Sequence, residues 1–123
     1  MHDPTLQRLL DLLGGAQSIA FLARMQVDLA SAGTALRRAV AGHDRDGLRR
    51  ASHDLIALAG TVGAREMETA ARRLNAAARD ADQAAFGHPA TLAARLTDRL
   101  VAELDAVRAQ HKTATTPATG PAG

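Results

Sequence analysis

The chain has 123 residues, with no Cys, Trp or Tyr and only two Phe, and Ala and Leu supply 45 of its 57 hydrophobic residues. That size suits one domain. Without Cys there is no disulfide scaffold, Cys-ligated zinc, iron–sulfur cluster or thiol nucleophile, and so few aromatics leave no stacking platform for single-stranded nucleic acid. The net charge is only +2, and 14 of the 15 basic residues are Arg. The isoelectric point of 10.4 therefore reflects the basicity of guanidinium. No long like-charge block suggests a nucleic-acid arm, and no apolar run approaches the ~20 residues of a membrane span. The first residues, MHDPTLQRLL, lack the features of a signal peptide, so a soluble cytoplasmic protein is expected. Five Val and two Ile are too few for a rich sheet, and an Ala-, Leu- and Arg-rich chain favours an all-α fold.

Asp3-Pro4 is a good helix opening, with Asp as cap and Pro at the first helical position. Leu6, Leu9, Leu10 and Leu13 follow at helical spacing, and Gly14-Gly15 end this short leader. A second helix starts near Ala16 or Gln17. Its stripe runs Ile19, Leu22, Met25 or Gln26, Leu29, Ala32, Leu36 and Val40. Gly33 inside it costs about 1 kcal/mol relative to Ala, which implies a close helix contact or a slight kink, and Gly42 ends it. Asp44 or Asp46 caps a third helix on Leu48, Ala51, Leu55, Leu58 and Val62, closed by Gly63. A fourth runs from about Ala64 to Arg79 on Met67, Ala70 or Ala71, Leu74 and Ala77 or Ala78. After the stretch between Asp80 and Pro89, the last helix takes Leu92, Leu96, Leu100, Leu104 and Val107. From Lys112 onward, KTATTPATGPAG has no large apolar residue and is expected to be a disordered tail. Short connections make successive helices antiparallel neighbours. The expected architecture is one antiparallel up-down four-helix bundle over residues 1–111, with a short leader and a tail over 112–123.

Placing the histidines on these helices singles out one. At 100° per residue, His53 points roughly 170° away from the apolar stripe of the third helix, so it faces solvent. Asp46, Arg49, Arg50, Ile56, Ala57 and Gly60 share its face. N-terminal to the histidine stand two arginines; C-terminal to it the face is small and apolar, where a solvated face normally carries long polar side chains. Ala57 and Gly60 leave the imidazole open to close approach by a second protein. A chance surface histidine on an alanine-rich helix is the plainer alternative.

The run Ala51-Ser52-His53-Asp54-Leu55-Ile56-Ala57-Leu58-Ala59-Gly60-Thr61-Val62-Gly63-Ala64 resembles the phosphorylation-site helix of histidine-containing phosphotransfer (HPt) domains. That family reads His, any residue, Leu, Lys, Gly, then small residues and an apolar-Gly-Ala close. His53, Leu55 and Val62-Gly63-Ala64 match it, and Ala70-Ala71-Arg72-Arg73-Leu74 fits the run usual in the next helix. The resemblance covers about residues 4–110. It implies that His53 is the phospho-accepting residue of a phosphorelay intermediate, exchanging the group with receiver-domain aspartates in two-component signalling. It also implies a phosphocarrier and not an enzyme, with no cofactor of its own and Mg²⁺ supplied by the receiver. The implied partners are a response-regulator receiver and a sensor histidine kinase, and the implied state is a monomer. The family's Lys, which positions or neutralises the phosphoryl group, falls on Ile56, and its Gly falls on Ala57. Ala57 is still small, and an exposed Ile56 is expected to be a docking contact. Arg49 or Arg50 is placed to supply the missing charge, unless both are simply solvated and paired with Asp46 or Asp54.

Three other readings are weighed on residues. His53-Asp54-Leu55 is similar to the H-box of dimeric sensor-kinase domains, but Ile56-Ala57-Leu58 lacks the Pro that follows there. Loss of the Lys suits a non-phosphorylated adaptor binding a receiver or kinase. A metal-binding bundle needs Glu-x-x-His motifs, which Glu66, Glu68 and Glu103 lack. Capping or solvation accounts for His2, His43, His88 and His111, so no metal site is expected. Arg72 and Arg73 on the fourth helix either frame the His53 surface or are merely solvated.

Overall fold

A computed structural model describes residues 4–79 and 87–115. They form five helices: α1 (Thr5–Leu13), α2 (Gly15–Ala41), α3 (Arg45–Val62), α4 (Arg65–Ala77) and α5 (Gly87–Thr115). No strand occurs among the described residues, and none of the helices is long and apolar enough to cross a membrane. The all-α expectation holds. α2 packs against α3 and α5, α4 packs against the same two helices, and α1 lies against α2 and α3. Between α2 and α5, Arg37 meets Asp98 at 2.6 Å while Gln26 meets Asp105 at 3.3 Å. Rising numbers on one helix thus face falling numbers on the other.

The core is a column of leucines interleaved with alanines. Leu22, Leu29 and Leu36 of α2, Leu48 and Leu55 of α3, Leu74 of α4 and Leu100 and Leu104 of α5 are all buried. Each contributes about 1.5–3 kcal/mol by leaving water. Ala32, Ala51, Ala59, Ala71 and Ala93 fill the positions between them, so backbones come close. Gly33 is a close helix contact: a Cβ there would stand 3.2 Å from Thr97 Cγ2 of α5. The Thr97 hydroxyl is satisfied by donating to the Ala93 carbonyl at 2.7 Å.

Three stripe positions shift by one residue from the periodic expectation. Ser18 is buried where Ile19 is expected, because α1 folds back over it and its Oγ donates to the Leu10 carbonyl at 3.0 Å. Ala39 is buried and Val40 exposed, because the chain turns back across Ala39, whose carbonyl accepts from Asp44 N–H at 2.8 Å. In α3, Ala59 is fully buried and Leu58 half-buried, because α1, α2 and α4 all pack against α3 and its covered arc is wider than one stripe.

The element ends follow local chemistry. Gly14, in the left-handed region at φ 76°, separates α1 from α2, and Gly15 already belongs to α2. Pro4 precedes α1 without a side-chain cap, while the expected Asp3 cap lies outside the described residues. Of the two candidate caps for α3, Asp44 serves: its carboxylate accepts from Gly47 N–H at 2.9 Å. Both ends of the α2–α3–α4 path use the same C-terminal motif, in which a left-handed residue lets two amides bond back to the last turn. At the end of α3 that residue is Gly63 (φ 72°), and at the end of α2 it is His43 (φ 51°).

The last helix is longer at both ends than its leucine stripe suggests. It takes in Gly87, His88 and Pro89, since Pro is tolerated in a first turn. At the other end it continues to Thr115, which corrects the expected start of the tail at Lys112. Val107 still packs on the core, and His111 remains half-buried, so helix growth continues over a few more residues at little cost. Residues 116–123 of the expected tail, and the stretch over 80–86, lie outside the described residues. Near this end Gln26 donates to the Val101 carbonyl and to Asp105. The guanidinium of Arg108, and then this amide, hold the Asp105 carboxyl below its ordinary pKa. The tie is therefore present at neutral pH and lost as the pH falls through that lowered value.

A left-handed backbone strains any residue with a Cβ. His43→Gly is expected to raise the unfolding free energy by about 1 kcal/mol and Gly63→Ala to lower it by about 1 kcal/mol, both read from urea midpoints at constant m-value.

Candidate functional site

The third helix sets the site by what it buries. Leu48, Ala51, Leu55, Ala59 and Val62 turn inward, which leaves His53 exposed on the opposite side. Asp46, Arg49, Arg50 and Asp54 of α3, together with Asn75 of α4 and Arg79 just beyond its end, line an open groove of about 520 Å³ around the imidazole. Ala57 and Gly60, one and two turns further on, are exposed as well. The exposed histidine with arginines behind it and small residues ahead of it is thus present as expected.

Ile56 departs from expectation. It is half-buried and packs against the core cluster, not free beside His53. On a helix, Ile56 lies on the same side as Ser52, and Ser52 sits fully buried against α4. Ile56 therefore forms part of the α3–α4 seam and presents only an edge to solvent.

Gly60 differs from Gly33 in kind. A Cβ on Gly60 would lie 3.8 Å from Glu68 Oε1, an ordinary contact, so helix packing does not demand glycine here. Its effect is to keep the surface beyond the histidine bare.

The groove is held together beside its histidine. The buried Ser52 Oγ donates to the Arg49 carbonyl at 3.1 Å. From α4, Asn75 Nδ2 donates to Ser52 Oγ at 3.0 Å and to the same Arg49 carbonyl at 3.3 Å. This three-way clamp joins the two helices one residue before His53 and commits the amide nitrogen of Asn75.

Electrostatically the groove is basic. Three arginines line it against two aspartates. Arg49 approaches Asp46 at 3.5 Å, an exposed pair of the kind that contributes little. Arg50 and Arg79 make no ion pair among the described residues, and neither does Asp54. An open groove with underused guanidiniums and an accessible imidazole is suited to receive a phosphoryl group, because guanidinium matches phosphate geometry in two-point hydrogen bonds. Among the described residues no group of three or more His, Asp or Glu side chains is placed to hold a metal ion.

Two contributors, Asn75 and Arg79, escape a reading of the sequence. Asn75 stands just off the apolar stripe of α4 and Arg79 in the turn just past its end, and only the direction in which α4 packs on α3 brings them to His53. Arg72 also lies toward α3 but is paired with Glu68 at 2.8 Å. Arg73, the next residue, is exposed and is absent from the groove lining.

A family model described as the Hpt domain matches residues 19–110. No curated protein and no solved structure gives a significant match.

Two substitutions separate support of the site from openness of its surface. Asn75→Ala is expected to cost about 1 kcal/mol through the lost clamp. Gly60→Ala is expected to add up to about 1 kcal/mol from helix propensity alone. Denaturant unfolding of both variants checks this.

Proposed function

The chain belongs to the Hpt domain family, whose members are phosphocarrier modules of histidine phosphotransfer in two-component signalling, and on that premise we propose that His53 is the residue that carries the phosphoryl group. The supporting observation is the exposed imidazole in a basic groove on a helix whose apolar side is fully committed to the core. In this reading α2 to α5 form an antiparallel up-down bundle and α1 is a leader laid across it. The protein acts as a cytoplasmic monomer between a sensor histidine kinase and a receiver domain.

The chemistry asks little of this chain. A neutral ring nitrogen of His53 attacks the phosphorus of a receiver's aspartyl phosphate. The nitrogen–phosphorus bond forms as the acyl phosphate bond breaks, and the aspartate leaves as a carboxylate. The reverse step passes the group on. The receiver supplies Mg²⁺ and its own cationic groups, so catalysis is positioning and charge stabilisation at the interface. This chain contributes an accessible nucleophile, the clamp through Ser52 and Asn75 that holds its helix against α4, and guanidiniums near the transferred group.

The substitution of Ile56 for the family's Lys then has a physical answer. The half-buried Ile56 completes the α3–α4 seam, and Arg49 and Arg50, with Arg79 just past the end of α4, provide the charge. Ala57 and Gly60 give the receiver a bare surface to settle on, in a modest and transient interface.

Incubation with phosphorylated receivers of the same genome tests the reading. Wild type is expected to take up acid-labile, base-stable label, and His53→Gln none. Binding of a receiver without label favours a non-phosphorylated adaptor instead. Arg49→Glu with Arg50→Glu is expected to slow transfer about tenfold at low salt, equivalent to about 1.4 kcal/mol, and an unchanged rate sinks the role given to the arginines. In an Arg49→Ala/Arg50→Ala background, adding Ile56→Lys is expected to recover part of the lost rate.

A further inference from the structure

Three aspartates serve α3, and two of them are engaged. Asp44 caps the helix, accepting from Gly47 N–H at 2.9 Å, and Asp46 meets Arg49 at 3.5 Å. Asp54, the residue after the histidine, is exposed, and its carboxylate has neither ion pair nor hydrogen bond among the described residues. It lines the groove around His53 and also a neighbouring groove between α2 and α3. The other carboxylate of that second groove, Asp28, is engaged by Arg24 at 3.1 Å. Arg50 stands four residues before Asp54, the spacing at which opposite charges on a helix commonly pair, yet no ion pair joins them. His53 is thus flanked on its own helix by an uncommitted guanidinium three residues before it and an uncommitted carboxylate directly after it.

A phosphoryl group brings more than one negative charge. Arg50 and Arg79 favour that charge on His53 and Asp54 opposes it, whereas all three act only weakly on a neutral ring. Resting on the phosphocarrier reading above, we propose that Asp54 sets the direction of phosphoryl flow: its unneutralised carboxylate raises the free energy of phospho-His53, so the histidine is a better donor and a poorer store of the group. In the donor step the receiver's aspartate forms the acyl phosphate as the nitrogen–phosphorus bond breaks, and the electron pair of that bond returns to the ring nitrogen. The role differs measurably from docking. Contacts to a receiver exist only in the complex, whereas the equilibrium of exchange between two separate proteins depends only on their free forms. A residue that merely docks the receiver changes forward and reverse rates by the same factor and leaves that equilibrium alone.

The test measures how label divides at equilibrium between the full chain and one Mg²⁺-loaded receiver that exchanges with wild type, approached from both directions. Asp54→Asn is expected to shift the division about threefold toward phospho-His53 and Asp54→Lys about tenfold at low salt, both shrinking at high salt. Asp54→Glu is expected to stay close to wild type, and Arg50→Gln to shift the division the other way. Asp98→Asn makes the same charge change on α5, outside both grooves, and is expected to leave the division unchanged. An unmoved equilibrium in Asp54→Asn and Asp54→Lys, with forward and reverse rates changed equally, makes Asp54 a docking residue and overturns the inference. A shift toward the receiver in either variant overturns it too, as does an equal shift in Asp98→Asn, which reduces the effect to net charge. Wild type that takes label neither from any receiver nor from phosphoramidate, a small donor that needs no docking, marks instead the failure of the phosphocarrier reading, and the inference falls with it.

Discussion

Burial of Leu48, Leu55 and Val62 along one side of α3 is the constraint on which the rest of the structure depends. An α-helix presents its side chains every 100°, so once those residues face the core, His53 has no choice of direction. The same burial places Arg49 and Arg50 behind the histidine and Ala57 and Gly60 ahead of it. Slipping the buried face by one residue would carry His53 toward the interior and strand Leu55 in water, a loss of about 2 kcal/mol for that side chain alone.

Alanine makes that constraint compatible with a small core. With so few aromatics, the interior is built from leucines separated by Ala and, at one crossing, by Gly33 against Thr97. Helices that approach this closely bring α4 near enough for Asn75 to reach both Ser52 and the Arg49 carbonyl. The clamp is a product of core packing, yet it lies one residue from the histidine. Stability and the shape of the groove are coupled there through geometry: loosening α4 against α3 would blur the position of Arg79 relative to His53 without touching either side chain.

The surface around the histidine divides by charge along the helix axis of α3. The groove toward α4 is lined by three guanidiniums and two carboxylates, and the groove toward α2 by two carboxylates and no cation. In a protein whose net charge is near zero, this local separation matters more than the overall balance. It is also where the chain departs from its family's usual pattern, since Ile56 is drawn into the α3–α4 seam and arginines at other positions bring the positive charge.

Much of this was legible without coordinates. The all-α class, the five helical segments, the outward direction of His53 and its company of Arg49, Arg50, Ala57 and Gly60 follow from a 3.6-residue period and from which residues avoid water. These are properties of single helices, and a single helix is encoded locally. What a single helix cannot encode is its neighbour. That Ile56 is half-buried, that Ala59 and not Leu58 lies deepest, that Asn75 and Arg79 join the groove, and that Asp54 sits between two surfaces of opposite charge all depend on how α2 and α4 pack against α3. The sequence by itself determined which face of α3 meets the world; only tertiary packing, through the close approach its alanines permit, decided which residues of the other helices stand there with it.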